Sequence, residues 1–180
     1  MTTSDATALP AGAIAAVAET VGTSHTGVPT GPARVALACA KFNGAVTVRL
    51  LDGALAGLKD HGVDLQTTTV VWVPGAVELP VTAARLAGSG HHDAVIALGA
   101  VIRGDTAHFD FVAGECAAGL QRVALDTGVP VVFGVLTTDT VLQAEERSGP
   151  GPANKGYEAA VTALEMVRLM ELLPPAGGGG

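Results

Sequence analysis

Short runs in which almost every position is apolar alternate along the chain with longer stretches in which apolar residues recur every third or fourth position. The short runs are Arg34–Cys39, Thr68–Val73, Asp93–Leu98 and Pro130–Leu136. They are rich in β-branched residues and apolar on both alternating faces, the pattern of strands buried in a parallel sheet. The longer stretches, Ala45–Asp60, Glu78–Ala87, His108–Thr127, Thr140–Ser148 and Lys155–Leu173, read as amphipathic helices. In the last of them Tyr157, Val161, Leu164, Val167 and Met170 form the apolar stripe, and Pro174–Pro175 ends the helix. Residues 1–32, rich in Ala, Thr, Gly and Pro, read as a largely irregular arm with a short ordered piece around Ile14–Val21. Residues 174–180 end in four glycines and read as a disordered tail. The alternation predicts one α/β domain over 33–173, a parallel sheet layered between helices and connected by right-handed crossovers. Ligands of such sheets bind beyond the carboxyl ends of the strands. The loops after Cys39, Val73, Leu98 and Leu136 are therefore where chemistry is expected.

Composition narrows the picture. Lys+Arg is 10 against 17 Asp+Glu, a net charge of −7, which argues against a nucleic-acid partner because phosphates call for a basic face. Hydrophobic residues make up 48% and charged ones 15%, too little charge to cover a monomer, so an oligomer is expected. The longest uncharged apolar stretch, 6–17, is too short and too broken by Pro10 and Gly12 to span a bilayer. No Lys or Arg precedes Arg34, so a signal peptide is not indicated, and a cytoplasmic protein is expected. Cys39 and Cys116 read as reduced, buried thiols. His25, His61, His91, His92 and His108 show no metal-binding spacing, so no metal is expected.

Four loops carry unusual residues. After the first strand comes Lys41-Phe42-Asn43-Gly44, and the aromatic ring either offers a face for a heterocycle or tucks under the next helix. After the second comes Pro74-Gly75-Ala76-Val77-Glu78. Glu78 falls in a first helical turn, where the helix dipole alone accounts for a carboxylate and a polyhydroxyl ligand is the alternative. After the third, Gly99 and Gly104 have the GxxxxG spacing of a phosphate loop, but Asp105 replaces the lysine that nucleotide binding needs. What is left is a glycine-rich turn opening a helix, able to hold a single phosphate on backbone N–H groups, with Thr106 adding a hydroxyl. His108, at that helix start, is either placed to shuttle protons beside such a phosphate or is a surface or satisfied core histidine. Gly88-Ser89-Gly90-His91-His92-Asp93 resembles a dinucleotide turn but lies between helix and strand, the wrong order. After the fourth strand, Thr138 or Asp139 reads as the cap of a helix bearing Glu145-Glu146-Arg147. That trio is either a solvated face or the source of a phosphate-binding arginine.

Taken together, Phe42-Asn43, Pro74-Gly75-Ala76-Val77-Glu78-Leu79-Pro80, Gly104-Asp105-Thr106-Ala107-His108-Phe109, Gly134-Val135-Leu136-Thr137-Thr138 and Asn154-Lys155-Gly156 resemble the 6,7-dimethyl-8-ribityllumazine synthase family from about Arg34 to Met170. The resemblance implies a flavodoxin-like α/β/α sandwich and the condensation of 5-amino-6-(D-ribitylamino)uracil with 3,4-dihydroxy-2-butanone 4-phosphate. Phosphate and water are released, without cofactor or metal, as the penultimate step of riboflavin biosynthesis. It implies Phe42 stacked on the pyrimidine with Asn43 beside it, Ala76, Val77 and Glu78 around the ribityl chain, and Ala100, Val101 and Ile102 as a backbone strip under the ring. It implies Asp105 and Thr106 at the butanone phosphate and His108 as the proton-transfer residue. It further implies that a neighbouring subunit supplies Phe133, Arg147 at the phosphate and Lys155 as a basic helper. Homopentamers are implied, with riboflavin synthase as a candidate partner. The link Gly149–Asn154 has no insertion, which in this family goes with closure of pentamers into a shell of about sixty subunits. Two departures stand out: Val77 where many members have an aromatic, and Gly149-Pro150-Gly151-Pro152 at the link. A non-catalytic shell-forming or flavin-binding relative would have lost Phe42, His108 or Arg147, and all three are present.

Overall fold

In the computed structural model, which describes residues 9–10 and 12–174, four parallel strands form one sheet in the order β2-β1-β3-β4. They are β1 Val35–Ala40, β2 Thr69–Val73, β3 Ala94–Ile102 and β4 Val131–Thr138. The helices are α1 Ala13–Ala18, α2 Gly44–Asp60, α3 Leu79–Ala87, α4 His108–Thr127, α5 Val141–Arg147 and α6 Lys155–Leu172, with short 3₁₀ turns at Leu65–Thr67 and Ala76–Glu78. The sheet divides the core in two. Leu37, Cys39, Ile96 and Leu98 point to the side of α2 and α6, while Ala36, Ala38, Val95 and Ala97 point to the side of α3 and α4. The expected three-layer α/β/α sandwich is therefore present. Among the described residues no helix is long and apolar enough to cross a membrane.

The central strands behave as their sequences predict: β1 is buried at every position and β3 at every position but Ile102. The edge strand β2 does not. The sequence predicts a strand buried on both faces, yet burial alternates, and Val70 and Trp72 lie exposed on the α2 side. α2 packs over β1 and β3, and among the described residues Val70 and Trp72 at the sheet edge stay exposed on that side. Apolar character alone does not distinguish a central strand from an edge that awaits a cover.

The predicted stripe of α6 is also corrected. The residues it buries are Gly156, Ala159, Ala160, Ala163, Leu164 and Val167, whereas Tyr157 and Val161 are half-buried and Met170 is exposed. Small residues face inward because α6 runs very close to α2: a Cβ on Gly156 would come within 1.9 Å of Leu50 O, and one on Gly57 within 3.0 Å of the Ala160 methyl. Hydrophobic periodicity weights large side chains, so it misses a seam built on glycine and alanine. At the start of α6, Asn154 is buried and fully engaged. Its Oδ1 accepts from the Gly156 and Tyr157 N–H groups, and its Nδ2 donates to Arg49 O, Ser148 O and Gly149 O at 2.8–3.0 Å. The 149–152 link is thereby held from inside, with Gly151 at φ +91°.

Other boundaries shift by a few residues. β3 continues to Ile102, so Gly99 is a strand residue, not part of a turn, and packs 3.1 Å from the Ala40 methyl when given a Cβ. α5 is capped by Thr140, not by Thr138 or Asp139: its hydroxyl accepts from Gln143 N–H while the Gln143 side chain accepts from Thr140 N–H. In the arm, the ordered piece is Ala13–Ala18. The arm's last residues are strapped to α6. Gly27 leaves no room for a Cβ against Glu165 O, and Arg168 donates to Thr30 O at 3.0 Å and to Pro32 O. The glycine tail from Pro175 onward lies outside the described residues. Cys39 and Cys116 are unpaired and buried on opposite sides of the sheet, and burial pushes their thiols up to about 12 and about 11.

Candidate functional site

A pocket of about 450 Å³ opens at the carboxyl ends of β1, β2 and β3, where the topology predicts it. Its first wall is Phe42. The β1–β2 ladder continues past the strand, with Lys41 N–H donating to Val73 O and Phe42 N–H to Pro74 O, and the chain then turns sharply at Asn43. Asn43 adopts φ +56°, a left-handed conformation that asparagine tolerates better than most side chains. Its Nδ2 donates 2.8 Å to Ala100 O, locking the loop to β3. The turn throws Phe42 outward, 72% exposed, so the ring is a free face and not a plug under α2. Asn43 thus borders the pocket, but its amide nitrogen is committed to the scaffold.

The opposite wall comes from the β2–α3 connection. Ala76–Glu78 form a 3₁₀ turn, and Glu78 Oε2 accepts the Gly75 N–H at 2.8 Å. This local bond, not the dipole of α3, positions the carboxylate, and Glu78 lines the pocket. Val77 stands 56% exposed at the rim. The floor is Ala100, Val101 and Ile102, the last three residues of β3. Gly104, Thr106, His108 and Phe109 complete the lining. Asp105 does not line the pocket. His108 begins α4, and its backbone N–H points to Thr106 Oγ1 at 3.4 Å.

Phe133, Arg147 and Lys155 are absent from this pocket. They lie together in a separate groove of about 400 Å³ between β4 and α6, lined also by Thr137, Glu158 and Thr162. Phe133 is 40% exposed on the edge strand β4. Lys155 Nζ pairs with Glu158 at 2.6 Å. Arg147, at the end of α5, has no ion pair or side-chain hydrogen bond among the described residues, so its guanidinium is available. The two regions share no lining residue. Among the described residues, one chain therefore carries an aromatic face, a carboxylate and a histidine in one place, and the unpaired Arg147 in another. No cluster of metal-ligating side chains occurs among the described residues.

The sequence passed over Arg103, the residue that follows β3. Its Nε donates to Asp139 at 2.9 Å, its Nη1 to Asp110 at 3.2 Å, and its guanidinium carbon lies 4.0 Å over the centre of the Phe109 ring. The Asp139 hydrogen bond above all, with the Asp110 charge beside it, holds this guanidinium above its ordinary range. Its partners come from the first turn of α4 and from the connection after β4, the latter 36 residues away, which made the cluster illegible there; only the charge of the residue after a strand end hinted at it.

Comparison with known proteins agrees with this architecture. The family model described as 6,7-dimethyl-8-ribityllumazine synthase matches residues 32–171. The chain is 57% identical over 149 residues, 82% of its own length, to a protein of Edwardsiella ictaluri (strain 93-146) named 6,7-dimethyl-8-ribityllumazine synthase, of which the match covers 96%.

Proposed function

The chain belongs to the 6,7-dimethyl-8-ribityllumazine synthase family, and we propose that it works through a site completed across a subunit boundary. Its reaction is the condensation of 5-amino-6-(D-ribitylamino)uracil with 3,4-dihydroxy-2-butanone 4-phosphate, the penultimate step of riboflavin biosynthesis. The amine adds to the ketone and loses water to give an imine. β-Elimination then expels phosphate, the resulting enol tautomerises to a ketone, and the ribityl-bearing nitrogen closes the ring with loss of a second water.

In our reading the strand-end pocket receives the pyrimidine. Phe42 stacks on its ring, the backbone of Ala100–Ile102 meets its edge, and Glu78 takes hydroxyls of the ribityl chain alongside Ala76 and Val77. The N–H groups and hydroxyl of the Asp105–Thr106 segment hold the phosphate, with the Asp105 carboxylate turned away as its absence from the lining suggests. His108 moves the protons of addition and elimination. Phe133, Arg147 and Lys155 act on the pocket of the neighbouring subunit, with Arg147 stabilising the departing phosphate. Much of the rate is then proximity: two reactants held on fixed backbone with little left to reorganise.

The observation that carries this reading is the separation of the exposed Phe42 and His108 from the unpaired Arg147 in two regions of one chain. The working unit in this reading is the homopentamer that the family resemblance implies, with residues 33–173 as its catalytic domain. Closure into a shell of about sixty subunits is favoured by the uninserted link at 149–154. Two unpaired, buried thiols support a cytoplasmic enzyme, where riboflavin synthase, the consumer of the product, is a candidate partner. Incubating the purified protein with both substrates tests the reaction: lumazine fluorescence should grow only when both are present. No product at saturating substrate would overturn the reading.

A further inference from the structure

Beyond those roles, we infer that Arg103 is a positioning residue that keeps two carboxylates off the incoming phosphate. Arg103 stands where β3 ends and the 104–108 loop begins, and its own N–H continues the ladder to Thr138 O at 2.9 Å. Its side chain gathers Asp110 from the first turn of α4 and Asp139 from the connection after β4, while lying on Phe109, which lines the pocket next to His108. Without it, Asp105, Asp110 and Asp139 would leave an uncompensated negative field around the loop that is to receive a dianion. With it, two of the three charges are bound at 3.2 Å and 2.9 Å, and the loop is fixed between the ends of two strands and the start of a helix. The inference rests on the assignment of the phosphate to the 104–106 loop.

Arg103 is 44% exposed and touches no buried side chain through its charge, so Arg103→Gln should fold and assemble as the parent does. It should raise KM for the butanone phosphate roughly 3- to 10-fold, as expected for two exposed charge pairs, and leave KM for the pyrimidine within about twofold. The rise should shrink at high salt. Adding Asp110→Asn and Asp139→Asn to Arg103→Gln should bring KM for the ketone back to near the parent value. A residue that merely braces the loop would not be rescued in this way. Both KM values rising together, or no recovery in the triple variant, would overturn the inference. The underlying assignment has its own readout: inorganic phosphate should compete with the ketone, and Thr106→Val should weaken that competition. Failure there removes the phosphate from the loop and the inference with it. Success there, together with an Arg103→Gln enzyme of unchanged KM, removes Arg103 alone.

Discussion

In the proposed reading the pocket at the strand ends and the groove beside β4 divide the chemistry between them. The pocket offers a ring face, a strip of backbone, one carboxylate and a histidine, on loops pinned by hydrogen bonds such as Asn43 to Ala100 O and Gly75 to Glu78. The groove offers an aromatic on an edge strand, an unpaired arginine and a lysine already engaged with Glu158. A reaction that must both activate a heterocyclic amine and expel phosphate needs features of each. Under the proposed reading neither surface is a site by itself, and the apolar excess of the chain serves the same end. Val70, Trp72, Val77, Phe111, Leu125 and Phe133 are all left exposed on a single chain. In the proposed assembly, surfaces of that kind bring a second copy against the first, and the second copy brings the arginine.

Four substitutions sharpen the contrast. The largest effect falls on the pocket: His108→Ala should lower kcat roughly 10- to 10³-fold while KM values change little, the modest end of acid–base losses because orientation carries much of the rate. An unchanged kcat at saturating substrate would remove His108 from the mechanism. Next comes the groove. Arg147→Ala should raise KM for the phosphate-bearing ketone by about 10- to 150-fold, the equivalent of about 1.5–3 kcal/mol for a charge-assisted contact, with little effect on the pyrimidine. Equal rises for both substrates would make Arg147 structural. Phe42→Ala should do the reverse, raising KM for the pyrimidine by roughly 2- to 12-fold through loss of stacking, about 0.5–1.5 kcal/mol, and sparing the ketone. Initial-rate kinetics with each substrate varied in turn separates these two.

The smallest effect lies away from both regions. Arg34 grips Asp93 with bonds of 2.6 and 2.7 Å at the opposite end of the sheet, and the Arg34 hydrogen bond holds the Asp93 carboxyl below its usual range. A carboxyl lowered in the folded state contributes stability above its unfolded value, about 3.9, that is lost as pH falls through the lower folded value. Asp93→Asn should therefore lower the melting temperature slightly at neutral pH, and the difference from the parent should begin to shrink as pH falls below about 4 and vanish only below the lower folded value. Both enzymes should keep the same kinetic constants, because neither region is touched.

Most of the pocket could be read from the chain because its parts are local in sequence. Phe42 follows a strand, Glu78 sits three residues from the glycine it caps, and His108 opens a helix after a glycine-bearing loop. Periodicity and turn chemistry reach that far. What the residues alone left open was Phe42's direction, and the left-handed turn at Asn43 with its bond to Ala100 decided it. The residues also left Arg147 undecided between a solvated face and a phosphate ligand, since its surroundings are assembled from β4, α5 and α6. Arg103 was missed for the same reason: Asp110 and Asp139 meet it only through tertiary structure. The α2–α6 seam was misread because glycine and alanine carry little hydrophobic weight, although Gly156 tolerates no Cβ against Leu50 O. The exposed faces of β2 and β4 look like core in sequence, and the described residues leave Val70, Trp72 and Phe133 exposed there.

The central claim, that one working site draws on two chains, is tested most directly by complementation. Subunits carrying His108→Ala are mixed with subunits carrying Arg147→Ala under conditions that let them co-assemble, and lumazine formation is followed at a ketone concentration far below the KM of the Arg147→Ala enzyme, where that variant alone is nearly inactive. Each variant alone keeps one region intact, so a mixed assembly contains boundaries where an intact pocket meets an intact groove. Random equal mixing predicts such boundaries at about one in four, and activity should rise toward that fraction of the parent's. Activity that stays at the average of the two variants, or a monomer near 17.8 kDa that makes lumazine at the full rate, would contradict the account.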